Sequence, residues 1–158
     1  MQVTYTIVSD TVTPDLRARL ARVQNPEPAL RKMGDKLAEW AKKAIGAPSM
    51  RPAPWPELST KTLAKKKKMG YGNKPLRASG ELYRSIRVVS VSRSEVVIGS
   101  DRETKKGSGI SLAAIHQLGA PRRHIPARPF FPFQNGHTMP EAQAQVAAIL
   151  RSWLNSGR

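Results

Sequence analysis

The sequence predicts an α+β domain in which a small antiparallel sheet with one hairpin packs against two long amphipathic helices. Three observations carry this reading. Apolar residues recur at helical spacing from Pro28 to Ile45, and again from Pro140 to Trp153. Between them lie two short β-prone runs, residues 84–91 and 95–100, separated only by Ser92, Arg93 and Ser94, the pattern of an antiparallel hairpin. A hairpin alone cannot be stable in water, so the helices must cover it. At 158 residues and 17.4 kDa the chain suits one domain, residues 1–158, with a single core.

The elements follow in order. Residues 3–8 (VTYTIV) are β-branched and aromatic, with Val3, Tyr5 and Ile7 on one face, and predict a strand. Thr13 before Pro14 makes a cap and first-turn pair for a short helix through about Val23, which Pro26 and Pro28 end. In the next helix Leu30, Met33, Leu37, Trp40, Ala41, Ala44 and Ile45 oppose a charged face, and Gly46 and Pro48 stop it. Residues 46–58 carry four prolines and form an extended loop, which Trp55 is expected to pin to the body.

Ser59 or Thr60 caps a short basic helix ending at Met69, and residues 69–78 read as a second loop from their Gly, Asn and Pro content. After the hairpin, residues 101–110 form a charged, glycine-bearing flexible tip. It leads into a short helix, SLAAIHQLG, stopped by Gly119. Pro126, Pro129 and Pro132 hold HIPARPFFPF extended, able at most to edge a sheet. In the last helix Ala142, Val146, Ile149, Leu150 and Trp153 align.

Composition excludes several chemistries. With no cysteine there is no disulfide, thiolate metal site or cysteine nucleophile. His116, His124 and His137 lack any compact zinc spacing, and His116 reads as a hydrogen-bonded structural histidine. There is no phosphate-cradling loop, nucleophile elbow or dinucleotide fingerprint, and the 11 acids are scattered, so no catalytic residue, metal or cofactor is expected. The start, MQVTYTIVSD, is not a secretory signal, and no segment has the roughly 18 consecutive apolar residues of a membrane span. No membrane contact and a cytoplasmic site of synthesis and use are the expectations.

Charge is the strongest physical signal. The formal net charge is +16, from 27 Lys and Arg against 11 Asp and Glu, which calls for a polyanionic or acidic partner. Ten of the basic residues lie between Leu58 and Ser94 with Glu81 as the one acid, and Lys65, Lys66, Lys67 and Lys68 are consecutive. These four, with Lys105 and Lys106, are candidate contacts to DNA phosphates or to an acidic protein; a solvated helix face is the plainer alternative. No aromatic interleaves the run, so non-specific electrostatics is as far as this reaches. Phe130, Phe131 and Phe133 stand within four positions in the proline-fixed segment. Phe130 is expected to plug the core, and Phe131 and Phe133 either join it or dock on a neighbouring subunit.

Three ordered blocks carry a resemblance: WPELSTKTLAKKKK (55–68), LRASGELYRSIRV (76–88) with VVIGS (96–100), and AAIHQLG with IPARPFFPF (113–133). Together they resemble the phage virion morphogenesis (tail completion) family. Ser79, Gly80, Leu82, Ser85, Ile86, Gly99, His116, Gln117, Gly119, Pro126, Arg128, Pro129 and Phe130 stand at its recurring positions. The sequence departs from that pattern at Lys105 to Ser111, where the link is usually compact, and at Leu118, where an aromatic is common.

The resemblance implies a non-enzymatic assembly protein of a tailed bacteriophage, of the tail terminator or head-tail joining kind. It would work at the neck of the virion after synthesis in the host cytoplasm. It further implies a homo-oligomeric ring, with a hexamer as the expected count, and phage tail-tube and neck or connector proteins as partners. If the ring surrounds the DNA channel, the basic excess would make non-specific contact with packaged DNA. Gly80 and Gly119 suit turns or close backbone approach, and Arg128 between two prolines suits an ion pair. A free-standing non-specific nucleic-acid-binding protein would explain the charge but not the ordered blocks. A metal-dependent hydrolase is the third alternative.

Overall fold

A computed structural model describes residues 9–134 and 136–156. Within them six helices and two small antiparallel hairpins give the α+β architecture the sequence predicts. The strand expected over residues 3–8 lies outside the described residues.

Helix α1 spans Val12–Gln24. It starts ahead of the predicted Thr13–Pro14 pair because Asp10, not Thr13, caps it: the Asp10 carboxylate accepts from the amides of Val12 (3.1 Å) and Thr13 (2.9 Å). Helix α2, Glu27–Gly46, is the centre of the fold. It packs against the hairpin and against α6 (Pro140–Asn155), and α6 in turn carries α1. The buried face of α2 is wider than the predicted stripe, because Ala29, Gly34 and Ala38 are buried beside Met33, Trp40, Ala41, Ala44 and Ile45. Gly34 is where the hairpin comes closest: a Cβ there would overlap Val96 Cγ2 and lie 2.9 Å from Val88 Cγ2. A mid-helix glycine costs about 1 kcal/mol relative to alanine; here it permits the sheet to sit on the helix.

Helix α3 is Thr60–Lys68, with Ser59 Oγ accepting from Thr62 N at 3.3 Å as the cap. The predicted first strand begins two residues late, because Arg84 and Ser85 belong to a short helix, α4 (Glu81–Ser85). Strands β1 (Ile86–Val91) and β2 (Val96–Ser100) pair from Ile86↔Ser100 to Val91↔Val96, with a bulge between Val88 and Ser90. Helix α5 is Leu112–Leu118, and Phe133–Gln134 pairs with His137–Thr138 as a minimal hairpin, β3 and β4. The core joins Ala41, Ala44 and Ile45 of α2 to Leu82, Ile86, Phe130 and Phe131. No described helix is long and apolar enough to cross a membrane.

The segment expected as a flexible charged tip, residues 101–110, wraps around one carboxylate. Glu103 accepts from the amides of Gly107 (2.6 Å), Ser108 (3.1 Å) and Gly109 (3.0 Å), and Leu112 N closes the loop onto Arg102 O at 2.8 Å. The successive amides of the Gly-Ser-Gly run form a nest for the carboxylate.

Candidate functional site

The three sequence blocks, far apart in the chain, are tied together by side chains that bond to backbone. Proline supplies no amide hydrogen, and no sheet pairing joins the proline-rich loop at 46–58 to the segment at 125–133 among the described residues. Side chains do it instead. Trp55 Nε1 donates to Pro129 O at 2.7 Å, pinning the loop as its aromatic predicted. Arg128 donates from Nε and Nη2 to Pro56 O (3.2 and 3.0 Å) and from Nη2 to Glu57 O (2.9 Å). Arg51 stacks on the Trp55 ring, 3.7 Å from its centroid, and donates to Ala44 O and Ile45 O at the end of α2.

Helix α5 holds the other side. Gln117 Oε1 accepts from the amides of Phe130 (2.9 Å) and Phe131 (3.0 Å), and Arg128 N donates to His116 O at 2.6 Å. Gly119 follows with φ +79°, and a Cβ there would stand 2.8 Å from Ala127 N, so both conformation and close approach require glycine. Gly80 caps α4 at φ +78°, and its turn delivers Leu82 and Ile86 into the core against Phe130. Gln117, Arg128 and Phe130 of the His-Gln-x-Gly and Pro-x-Arg-Pro-Phe blocks thus have identifiable partners or core places, whereas the His116 imidazole has no hydrogen bond among the described residues. A family model of phage virion morphogenesis proteins matches residues 8–155. The chain belongs to that family. No curated protein and no solved structure matches it.

Membership makes this a bacteriophage virion assembly protein, from a structural family not known for catalysis. The bonds of Trp55, Gln117 and Arg128 hold a scaffold together. Among the described residues no group of three or more His, Asp or Glu is placed to bind a metal. Phe130 and Phe131 are core residues, their ring centroids 4.7 Å apart, whereas Phe133 is 38% exposed on β3 and Leu118 is 77% exposed.

Two expectations for Arg128 and His116 are corrected. Arg128 forms no ion pair among the described residues; it is buried, and its guanidinium bonds to the backbone oxygens of Pro56 and Glu57, not to the Glu57 carboxylate. His116 is not hydrogen-bonded through its ring as expected: Nδ1 is buried with no partner among the described residues. Burial, and then the nearby Arg128 charge, hold the imidazole below its ordinary value of 6.5 and keep it neutral.

The lysine run splits. Lys65, Lys67 and Lys68 are exposed on α3, and Lys105 and Lys106 are exposed on the Glu103 loop. Lys66, expected with its neighbours on an outward basic face, is buried, and its ammonium donates to Lys74 O (2.6 Å) and Arg77 O (2.8 Å). It fastens the 69–78 loop to α3 and leaves the surface set. Burial pushes its pKa down.

Proposed function

We propose that this assembly protein completes or terminates the tail as one subunit of a ring at the head-tail junction, meeting tail-tube and neck or connector proteins. The observation that carries the reading is a pair of unlike apolar surfaces. On α1, Val12, Leu16, Leu20 and Val23 form a single stripe at spacings of four, four and three residues, and each is 57–64% exposed. On the hairpin, Val89 and Val97 are exposed, and in a two-stranded sheet each strand has an unpaired edge. A contiguous stripe of this kind marks an interaction surface. Two different surfaces that meet between copies make a head-to-tail contact, and such contacts form a ring when the rotation between subunits closes. A hexamer is the count the family resemblance favours.

Native mass spectrometry of the purified chain, alone and with tail-tube protein, tests this. A ring-sized oligomer that Leu16→Glu with Leu20→Glu reduces to monomer is expected; a monomer under every condition overturns the ring. The exposed lysines and the charge of +16 favour a second reading, non-specific nucleic-acid binding. Under it, Lys65→Gln, Lys67→Gln and Lys68→Gln together weaken salt-sensitive DNA retention while Lys66 is left intact. Under the assembly reading with an acidic neighbour, the same triple variant weakens partner binding instead.

A further inference from the structure

Between α3, the 76–82 segment, α5 and residues 124–128 lies a cleft of about 490 Å³, within the usual range of ligand sites. Its apolar walls include Leu76, Leu82, Leu112 and Ile125, and it is rimmed by exposed residues such as Ala78 and Ser79. Two buried cations, Lys66 and Arg128, also line it, and among the described residues neither has a carboxylate partner. Their charges meet only carbonyl dipoles, although a buried charge ordinarily has an opposite charge against it.

Donor capacity is left over. An ammonium has three hydrogens, and Lys66 Nζ uses two; a guanidinium has five, and the Nη1 pair of Arg128 has no acceptor among the described residues. His116, on the same wall, has its Nδ1 buried and without a partner among the described residues. Arg77 and Arg102 add positive charge, against Glu57 and Glu81, and Glu81 is already held by Arg102 at 2.5 Å. The cleft is thus apolar at its sides and short of negative charge.

We propose that the cleft is the docking site for an internal acidic segment of a partner virion protein, with a Glu or Asp carboxylate against the Lys66 and Arg128 side and flanking apolar side chains on the leucine walls. A nucleic-acid phosphate matches the cations, but the lining has no Phe, Tyr or Trp on which its bases could stack, and an apolar peptide leaves the cations unmatched. The partner's being a virion protein rests on the assembly reading; the carboxylate preference rests on the cleft alone.

The test is an NMR titration of the isotope-labelled full chain with the blocked tripeptide acetyl-Leu-Glu-Leu-amide, and in parallel with acetyl-Leu-Gln-Leu-amide and inorganic phosphate, at fixed ionic strength. Saturable shifts at Leu82, Leu112 and His116 are expected, with the glutamate peptide tighter than the glutamine peptide by about tenfold or more. Binding should raise the His116 titration midpoint, because the incoming negative charge offsets that of Arg128. Ala78→Trp, at an exposed rim position, should block binding and leave the rest of the spectrum in place. Equal binding of the two peptides, phosphate binding as tightly as the glutamate peptide, shifts confined to Lys65, Lys67 and Lys68, or no saturable shift would each overturn the proposal. None of these depends on whether the chain forms a ring, which native mass spectrometry reads separately.

Discussion

Replacing each lysine of the 65–68 run with alanine, one at a time, separates position from composition. All four substitutions remove the same side chain and the same charge from the same short helix, so helix propensity and net-charge effects are shared. Only Lys66 also loses two charge-assisted hydrogen bonds, at 2.6 Å to Lys74 O and 2.8 Å to Arg77 O. Bonds to a charged group contribute about 1.5–3 kcal/mol each. The cost of burying the ammonium opposes part of this, as its lowered pKa shows. A net loss of about 2 kcal/mol is expected for Lys66→Ala, against changes within about 0.5 kcal/mol for the three exposed neighbours. For a chain of this size that is a fall in Tm of about 4–8 °C. Urea and thermal unfolding, all at one protein concentration because association stabilises by mass action, provide the comparison. Four variants within about 0.5 kcal/mol of one another would refute the assignment of Lys66 as the tie between α3 and the 69–78 loop.

Gly34→Val should destabilise by about 2–3 kcal/mol in urea unfolding, since the added carbons meet the stiff side chains of Val88 and Val96 and no rotamer clears both. Gln117→Ala leaves the amides of Phe130 and Phe131 without their acceptor and should cost about 2–4 kcal/mol; Gln117→Glu, which keeps an acceptor oxygen, should cost less. His116 has a folded-state pKa below 6.5, so the unfolded chain takes up its proton first. Its contribution to stability is complete above that value and is lost as pH falls from there toward the folded pKa. A pH series of unfolding free energies should show this decline, and His116→Gln should remove it.

Helices α2 and α6 and the β1–β2 hairpin were legible because periodicity reports directly on which face of an element is apolar. What covers that face is not written in the element itself. The stripe on α1 has a spacing indistinguishable from a core-facing one, yet it is exposed while Arg22 of the same helix donates inward to Leu154 O at 3.2 Å. Gln117, Gly119, Arg128 and Phe130 stand out in the ordered blocks, but Gln117 and Arg128 bond to backbone atoms, which carry no residue signature. Lys66 was hidden by its identical neighbours, although its position three residues after Leu63, the large apolar residue within α3, places the two on one face. Gly34 carries a signal of its own: glycine inside a strong helical pattern needs a packing reason.

The charge and the ring reading constrain one another. Subunits of +16 brought together repel, and that repulsion is screened over about 8 Å at physiological salt. Added salt should therefore favour self-association of the free protein, because apolar contacts through α1 and the hairpin are not weakened by it. The same salt should weaken contact with DNA or an acidic neighbour. The two dependences have opposite sign, so a ring that assembles only at high salt when alone, but at low salt once an anionic partner is present, would tie assembly to that partner. The excess of positive charge would then act as a timing device: it keeps free subunits apart in the cell and lets them close where negative charge is concentrated. A ring whose stability ignores salt in both settings would leave the basic surface without a part in assembly.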